Sequence, residues 1–434
     1  MIFVVRRRLE ALMKTNFINF LGIQNDAKLF IGLQGAWSTT WMGCQPIAGH
    51  NCTHHGQFRD SNQPVTHVFG LGDETPEAQG EHAISTHTGG GNQTPNPGDP
   101  PPGCAGNAMS SLKSECQKED ATVEHVYCRG AVTELLKYGP RDLHTATKNS
   151  NSPQVLILII PGNPGIVGFY KTFMWTLYQA FNQRYPVWAV SHAGHCAPPD
   201  TMDMVEDASV AEAEDVFGLN GQIEHKLGFL LEHVPRDTQL ILIGHSIGCY
   251  IILDMMKRDP ELKVVKSVLL FPTIERMASS PQGKVMTPVL CHLRYVVYLP
   301  IFLLSLLPER LKAGMVQLVL RNLHSLDTSC VSATLSLINV DCAANAMYMG
   351  SQEMRMVLDR DNLTIQQHLD KLVFYYGATD HWCPVQYYQD IRRDFPDGDI
   401  RLCERGLRHA FVLDAGEEMA NMITQWIRDD LRGL

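Results

Sequence analysis

The sequence predicts an α/β fold: a mostly parallel sheet with helices on both faces and a helical cap insertion. Three observations carry that prediction. Short, nearly continuous apolar runs recur between residues 123 and 434, the pattern of strands buried on both faces. Helix-like stretches lie between them, as in chains that wind helices over both sides of a parallel sheet. One interval, from Phe271 to Leu372, breaks the alternation and has no strand-like run. A gap that long inside a compact domain carries its own structure or a function.

Order is expected to begin near Val123. His125–Cys128 and Val132–Leu136 read as a hairpin. Val155–Ile160, Val187–Val190, Leu240–Ile243, Val268–Phe271 and Leu372–Tyr376 read as buried strands, and Asp399–Cys403 as an edge strand. The helical stretches are Phe169–Arg184, Gly221–His233, Tyr250–Arg258, Tyr387–Arg393 and, at the end, Glu417–Leu431. The insertion spans about 272–370, and the folded domain 123–434.

The preceding residues differ in composition. Residues 44–120 are rich in Gly, Pro, Asn, Gln, His, Thr and Asp, with few large apolar side chains. Such a stretch buries too little surface to offset its ordering entropy and reads as a disordered linker. Its histidines (His50, His54, His55, His67, His82, His87) have no regular metal-ligand spacing. Residues 1–43 form a leader of open role. Its charges at Arg6–Arg8 follow the apolar residues, the reverse of a secretory signal, and residues 6–25 with one acid, Glu10, could form a basic amphipathic helix.

The chain has 434 residues and is 44% apolar, enough for a sizeable core. A formal net charge of −10 argues against general nucleic-acid binding. Twelve cysteines with no CxxC pair suggest free thiols in a reducing compartment. The sequons at Asn51, Asn92 and Asn362 matter only in a secreted chain.

Chemistry concentrates around Gly244-His245-Ser246-Ile247-Gly248. The pentapeptide follows a strand-like run and precedes a helix-like one, the context that makes G-x-S-x-G a nucleophile elbow with its serine on a sharp turn above the sheet. In the α/β-hydrolase fold the partners follow in the order acid, then histidine. Asp380 stands just beyond the strand-like run Leu372–Tyr376, and His409 follows the edge strand. These three are the expected nucleophile, orienting acid and general base. Singly, Asp380 also fits a turn carboxylate or helix cap ahead of Pro384, and His409 fits a surface loop. His245 is expected to shape the turn, His381 to point away from its neighbour Asp380, and Asp254 and Asp259 to face away from the base. Backbone donors for an oxyanion are expected from the N–H of Ile247 and from the loop Asn163–Ile166 after the first buried strand. The Asn163 side chain could add to them, and Pro164 has no N–H to give. An ordinary strand-to-helix turn is the other reading of that loop.

Several stretches resemble the lipid droplet-associated hydrolase family of the α/β-hydrolase superfamily. They are Ile160–Gly165, Ser191–His195, Phe217–Lys226, Leu242–Gly248, Leu270–Met277, Phe374–Gly377, Asp380–Pro384 and Gly398–Cys403. The resemblance covers residues 123–434 and leaves residues 1 to about 120 without a counterpart. It implies Ser246, Asp380 and His409 in the roles just given. It also implies a serine esterase, a carboxylic ester hydrolase acting on lipid esters, sterol esters among them, at the lipid droplet or the cytosolic face of the endoplasmic reticulum.

The insertion adds an independent pointer to lipid. Tyr295–Pro308 has 11 apolar residues in 14, and Lys284, Arg294, Arg310, Lys312 and Arg321 surround a single acid, Glu309. The run is too short to cross a bilayer as one helix, and Pro300 interrupts it. An element lying in a lipid monolayer through about 284–321 and a buried cap helix both fit. The chemistry calls for no metal and no organic cofactor. Two other functions stay open: a droplet-coating or tethering protein with little turnover, and an acyltransferase or thioesterase using the same three residues.

Overall fold

The computed structural model describes residues 121–146, 154–320 and 328–433. The expectations for residues 1–43 and 44–120 lie outside the described residues.

Eight strands form one sheet: β1 (Thr122–Cys128), β2 (Ala131–Tyr138), β3 (Val155–Ile160), β4 (Val187–Val190), β5 (Gln239–His245), β6 (Val264–Leu270), β7 (Leu372–Gly377) and β8 (Asp399–Cys403). Their order across the sheet is β1-β2-β4-β3-β5-β6-β7-β8. β1 and β2 pair as an antiparallel hairpin, β2 runs antiparallel to β4, and every pair from β4 to β8 is parallel. The hairpin turns at Arg129 and Gly130, whose φ of 50° and 72° are what a two-residue turn matched to strand twist requires. All six residues of β3 and of β7 are buried, as continuous apolar runs demand in a sheet covered on both faces.

Helices α1 (Lys171–Ala180), α2 (Leu219–His233) and α3 (Ile247–Arg258) follow β3, β4 and β5; α4 (Pro281–His292), α5 (Arg294–Ser305), α6 (Glu309–Leu320), α7 (Thr328–Leu337) and α8 (Val340–Met356) lie between β6 and β7; α9 (Val385–Asp394) and α10 (Gly416–Arg432) follow β7 and β8. α1 packs with α10 on one face of the sheet, and α2 with α3 on the other. The interval without strands is therefore a helical insertion. Within it α8 starts on Asn339, whose side chain accepts from the N–H groups of Asp341 and Cys342.

Several boundaries differ from the sequence reading, and three of them show a local cause or a sharp backbone change. β6 starts at Val264, because Lys266, which interrupts the apolar run, reaches Asp430 at 3.2 Å while the strand continues through it. Phe271 lies just past β6 with φ 48°. The stretch expected as one helix from Phe169 is a 3₁₀ turn, Val167–Tyr170, running into α1, which stops before Asn182 and Gln183 at φ 52° and 61°.

Strand order positions the site. The chain leaves β3 for β4 on one side and then returns to β5 on the other. Where the winding reverses, the loops at the carboxyl ends of neighbouring strands part and leave a crevice. The Pro161–Ile166 loop and Ser246 emerge there.

Candidate active site

Ser246 stands alone between β5 and α3, with φ 53° and ψ −120°. Side chains with a Cβ rarely adopt that region, and such residues persist only where the surroundings hold them. Here the Ser246 N–H donates to the Leu270 carbonyl at 2.9 Å, and its own carbonyl accepts from Cys249 N–H at 3.0 Å and Thr273 N–H at 3.3 Å. The motif glycines are steric requirements. A Cβ on Gly248 would stand 2.2 Å from the Ile160 carbonyl oxygen, and one on Gly244 would stand 2.9 Å from the Cys249 nitrogen. The elbow therefore sits tight against β3 and its own helix.

Loops after β5, β7 and β8 bring together three side chains that are remote in sequence. His409 Nε2 lies 2.9 Å from Ser246 Oγ, and His409 Nδ1 lies 2.7 Å from Asp380 Oδ2. The Asp380 side chain is 1% exposed and that of His409 18%. Asp380 Oδ1 accepts from the N–H groups of Trp382 and Cys383, and Oδ2 from the Cys383 thiol at 3.1 Å. Burial by itself pushes the Asp380 carboxyl up, but His409 and these donors outweigh it and hold the group below its ordinary value. An ionised carboxylate only accepts, so His409 Nδ1 carries the hydrogen and Nε2 turns its lone pair to the serine hydroxyl. Asp380, Cys383 and His409 also form a donor set of metal-ligand type, within 4.8 Å of one another. Their polar atoms are already engaged with each other as a hydrogen-bond network.

A Cβ on Gly162 would come 3.1 Å from Ser246 Cβ, so the Pro161–Ile166 loop runs against the elbow. Its Gly162 N–H donates to Tyr170 Oη at 2.9 Å and its Gly165 N–H to His195 Nδ1 at 3.0 Å. Among the described residues, the backbone N–H groups of Asn163 and Ile166 have no backbone acceptor. Ile247 opens α3, where an N–H has no carbonyl of its own helix to reach. The Asn163 carboxamide, expected as a further donor to the site, is engaged elsewhere. It donates to the Ala346 carbonyl at 2.9 Å and to Glu353 Oε1 at 2.7 Å, both on α8. Burial pushes the Glu353 carboxyl up to about 7, with Asn163 pulling against it.

The other candidates fall outside the chain of contacts. His381 is exposed and Asp254 pairs with Arg258. His245 is buried under the elbow, with Nδ1 2.7 Å from Tyr170 Oη and Nε2 2.8 Å from the His409 carbonyl oxygen.

A family model described as lipid-droplet associated hydrolase matches residues 153–412, a span that holds β3 to β8 and all three side chains. The lipid droplet-associated hydrolase of Gallus gallus is 60% identical over 311 residues, 72% of this chain and 96% of that protein. The chain belongs to the lipid droplet-associated hydrolase family. The Homo sapiens member is 48% identical over 326 residues, 74% of this chain and 98% of that one. Among solved structures, a bacterial membrane phospholipase A is similar at 16% identity and a TM-score of 0.46, over 71% of this chain and 86% of that one. In this member of the family the sheet, its crossovers and the elbow make up an α/β-hydrolase fold.

Two features of this family member escaped the sequence reading. Thr273 Oγ1 lies 3.4 Å from Ser246 Oγ, placed there by the turn after β6. Nothing in the spacing of Thr273 signals this. Behind the Pro161–Ile166 loop, His192, His195, His225 and Lys226 are fully buried. Lys226 Nζ donates to His225 Nδ1 at 2.9 Å and to Gln222 Oε1 at 3.4 Å, and burial pushes its ammonium down to about 7. In sequence Lys226 stands one turn from the apolar Ile223, Phe229 and Leu230, with the polar Gln222 and His225 beside it.

Proposed function

We propose that this chain is a serine esterase acting on lipid esters, sterol esters among them, at the surface of the lipid droplet and the cytosolic face of the endoplasmic reticulum. One observation carries the reading: the unbroken contact from Ser246 Oγ through His409 to Asp380, at 2.9 and 2.7 Å. Proton transfer needs donor and acceptor at that separation.

Ser246 Oγ attacks the ester carbonyl while His409 Nε2 takes its proton. Asp380 holds the imidazole and stabilises its charged form. The backbone N–H groups of Ile247 and of the Asn163 loop are the donors assigned to the oxygen that becomes negative. The alcohol leaves with the proton from His409, giving an acyl-Ser246. Water then attacks that acyl group, loses a proton to His409, and the acid departs as Ser246 regains its hydrogen.

The insertion supports residence on lipid. Tyr295, Leu299, Leu303 and Leu306 are exposed at i, i+4, i+8 and i+11 along α5 and its end, and Leu311, Met315 and Leu318 at i, i+4 and i+7 along α6. Each set makes one apolar stripe turned to solvent, while Val297 and Val316 are buried. Among the described residues no single helix is long and apolar enough to cross a membrane, and the pair α4–α5 is bent by 81°. Apolar stripes flanked by Arg294, Arg310 and Lys312 suit an element lying in a lipid surface. The same stripes would keep a tethering protein on the droplet, so turnover separates the two readings.

A fluorophosphonate probe is expected to label the full chain and to fail with Ser246→Ala. Asp380→Asn is expected to keep the fold and lower turnover of an emulsified ester by roughly 10³–10⁴-fold, the scale of losing the orienting acid. Equal labelling of wild type and Ser246→Ala would overturn the esterase reading.

A further inference from the structure

We propose that Tyr170 and His245 are positioning residues, a single hydrogen-bonded strut that ties the Pro161–Ile166 loop to the loop carrying His409 beneath the elbow. The inference rests on the esterase reading and adds to it the part that sets the distance between base and oxyanion donors.

Three contacts form the strut: Gly162 N–H to Tyr170 Oη at 2.9 Å, Tyr170 Oη to His245 Nδ1 at 2.7 Å, and His245 Nε2 to the His409 carbonyl oxygen at 2.8 Å. Their direction is fixed by chemistry. A carbonyl only accepts, so His245 Nε2 carries the hydrogen. The neutral ring then has a lone pair at Nδ1, and Tyr170 must donate its hydroxyl hydrogen there. That leaves the Tyr170 oxygen free to accept from Gly162. Each hydrogen is used once, and a second arrangement would leave a buried group unsatisfied.

Among the described residues the two ring nitrogens of His245 have these hydrogen-bond partners and no others. Tyr170 and His245 are 2% and 6% exposed. His245 packs against Phe271 and Phe411, with ring centroids 6.4 and 5.0 Å away, both edge-on. Burial raises the Tyr170 phenol, and burial and His409 lower the His245 ring to about 3, so both stay neutral around neutral pH. The strut holds the backbone of the very residue whose Nε2 faces Ser246 at 2.9 Å. It holds by its other end the residue next to Asn163. Misplacing a reacting group by about 1 Å can cost roughly 10²-fold.

Tyr170→Phe removes one oxygen and keeps the ring. In the full chain, at a temperature where circular dichroism shows the variant folded, it is expected to lower kcat on emulsified ester and the rate of fluorophosphonate labelling by about 10–100-fold, with KM within about twofold. His245→Gln keeps a side-chain N–H for the His409 carbonyl and loses the imidazole acceptor, and is expected to fall between the two. A separate readout does not depend on turnover. With ¹⁵N-labelled histidine, His245 should appear as the neutral Nε2–H tautomer from about pH 5 to 9, and its Nδ1 shift should move in Tyr170→Phe. Wild-type labelling rates in both variants, or a His245 ring protonated at Nδ1 in the wild type, would overturn the strut. A wild type that never takes the probe but shows the expected tautomer would overturn the esterase reading and leave the strut as a structural tie.

Discussion

Asn163 and Glu353 stand 190 residues apart in sequence and meet side chain to side chain, the carboxamide donating to the carboxylate at 2.7 Å. One belongs to the loop that flanks Ser246 and the other to helix α8 of the insertion. The cap is thereby fastened to the mouth of the sheet by a buried acid.

That acid makes stability depend on pH. Glu353 is held at about 7 in the fold against 4.5 when exposed. The fold therefore binds a proton that the unfolded chain has already lost between those values. The stabilisation is complete below pH 4.5 and fades as pH rises to about 7, by up to about 1.4 kcal/mol per unit. Glu353→Gln, which stays neutral, is expected to flatten this part of a Tm-against-pH curve. Parallel curves for wild type and variant would sink the assignment.

Ser246 offers a test of backbone strain. Its φ of 53° suits glycine better than alanine. Both Ser246→Gly and Ser246→Ala should be inactive toward the probe, yet the glycine variant is expected to be the more stable by roughly 1 kcal/mol in chemical denaturation. An alanine variant as stable as the glycine one would show that the elbow stores no strain.

Lys226 should act in the opposite direction to Glu353. Its ammonium is pushed down to about 7 from 10.5. Between those values the unfolded chain carries a proton that the fold has given up, so stability rises with pH across this window, and the penalty is full below about 7. Lys226→Met is expected to abolish that rise, so that wild type gains on the variant from pH 7 to 10 in thermal melts. No change in the difference between them would contradict a lysine that burial keeps neutral.

The exposed stripes predict a separation of binding from chemistry. Leu299→Glu with Leu303→Glu lies on the face of α5 away from the sheet. Sedimentation with lipid emulsions should drop by about tenfold or more, the scale of losing two buried leucines, while turnover of a water-soluble ester stays within about twofold. Retained emulsion binding would show that another surface holds the lipid.

The meeting of Ser246, Asp380 and His409 was legible in sequence because fold topology fixes both their order and their places at strand ends. Ser246 and Asp380 each follow an apolar run of the kind a buried strand needs, and His409 follows the edge strand Asp399–Cys403. The hairpin and the two-sided sheet were legible for the same reason. The Asn163 side chain was not, since its partner lies on a helix whose placement no local pattern encodes. The Tyr170–His245 strut stayed hidden for a related cause: a histidine inside the motif looks alike whether it braces a turn or carries a proton. Lys266 disguised the start of β6 because a long side chain can leave a buried strand at its end and find Asp430.

Helix α5 is twelve residues long, and its apolar stripe is one-sided. On the proposed reading such an element grips a lipid film without threading it, and its hold is set by lateral pressure. On the same reading, a droplet that shrinks and crowds its coat leaves fewer packing defects for so short a wedge. Catalysis by this chain would then track free surface rather than the amount of stored ester.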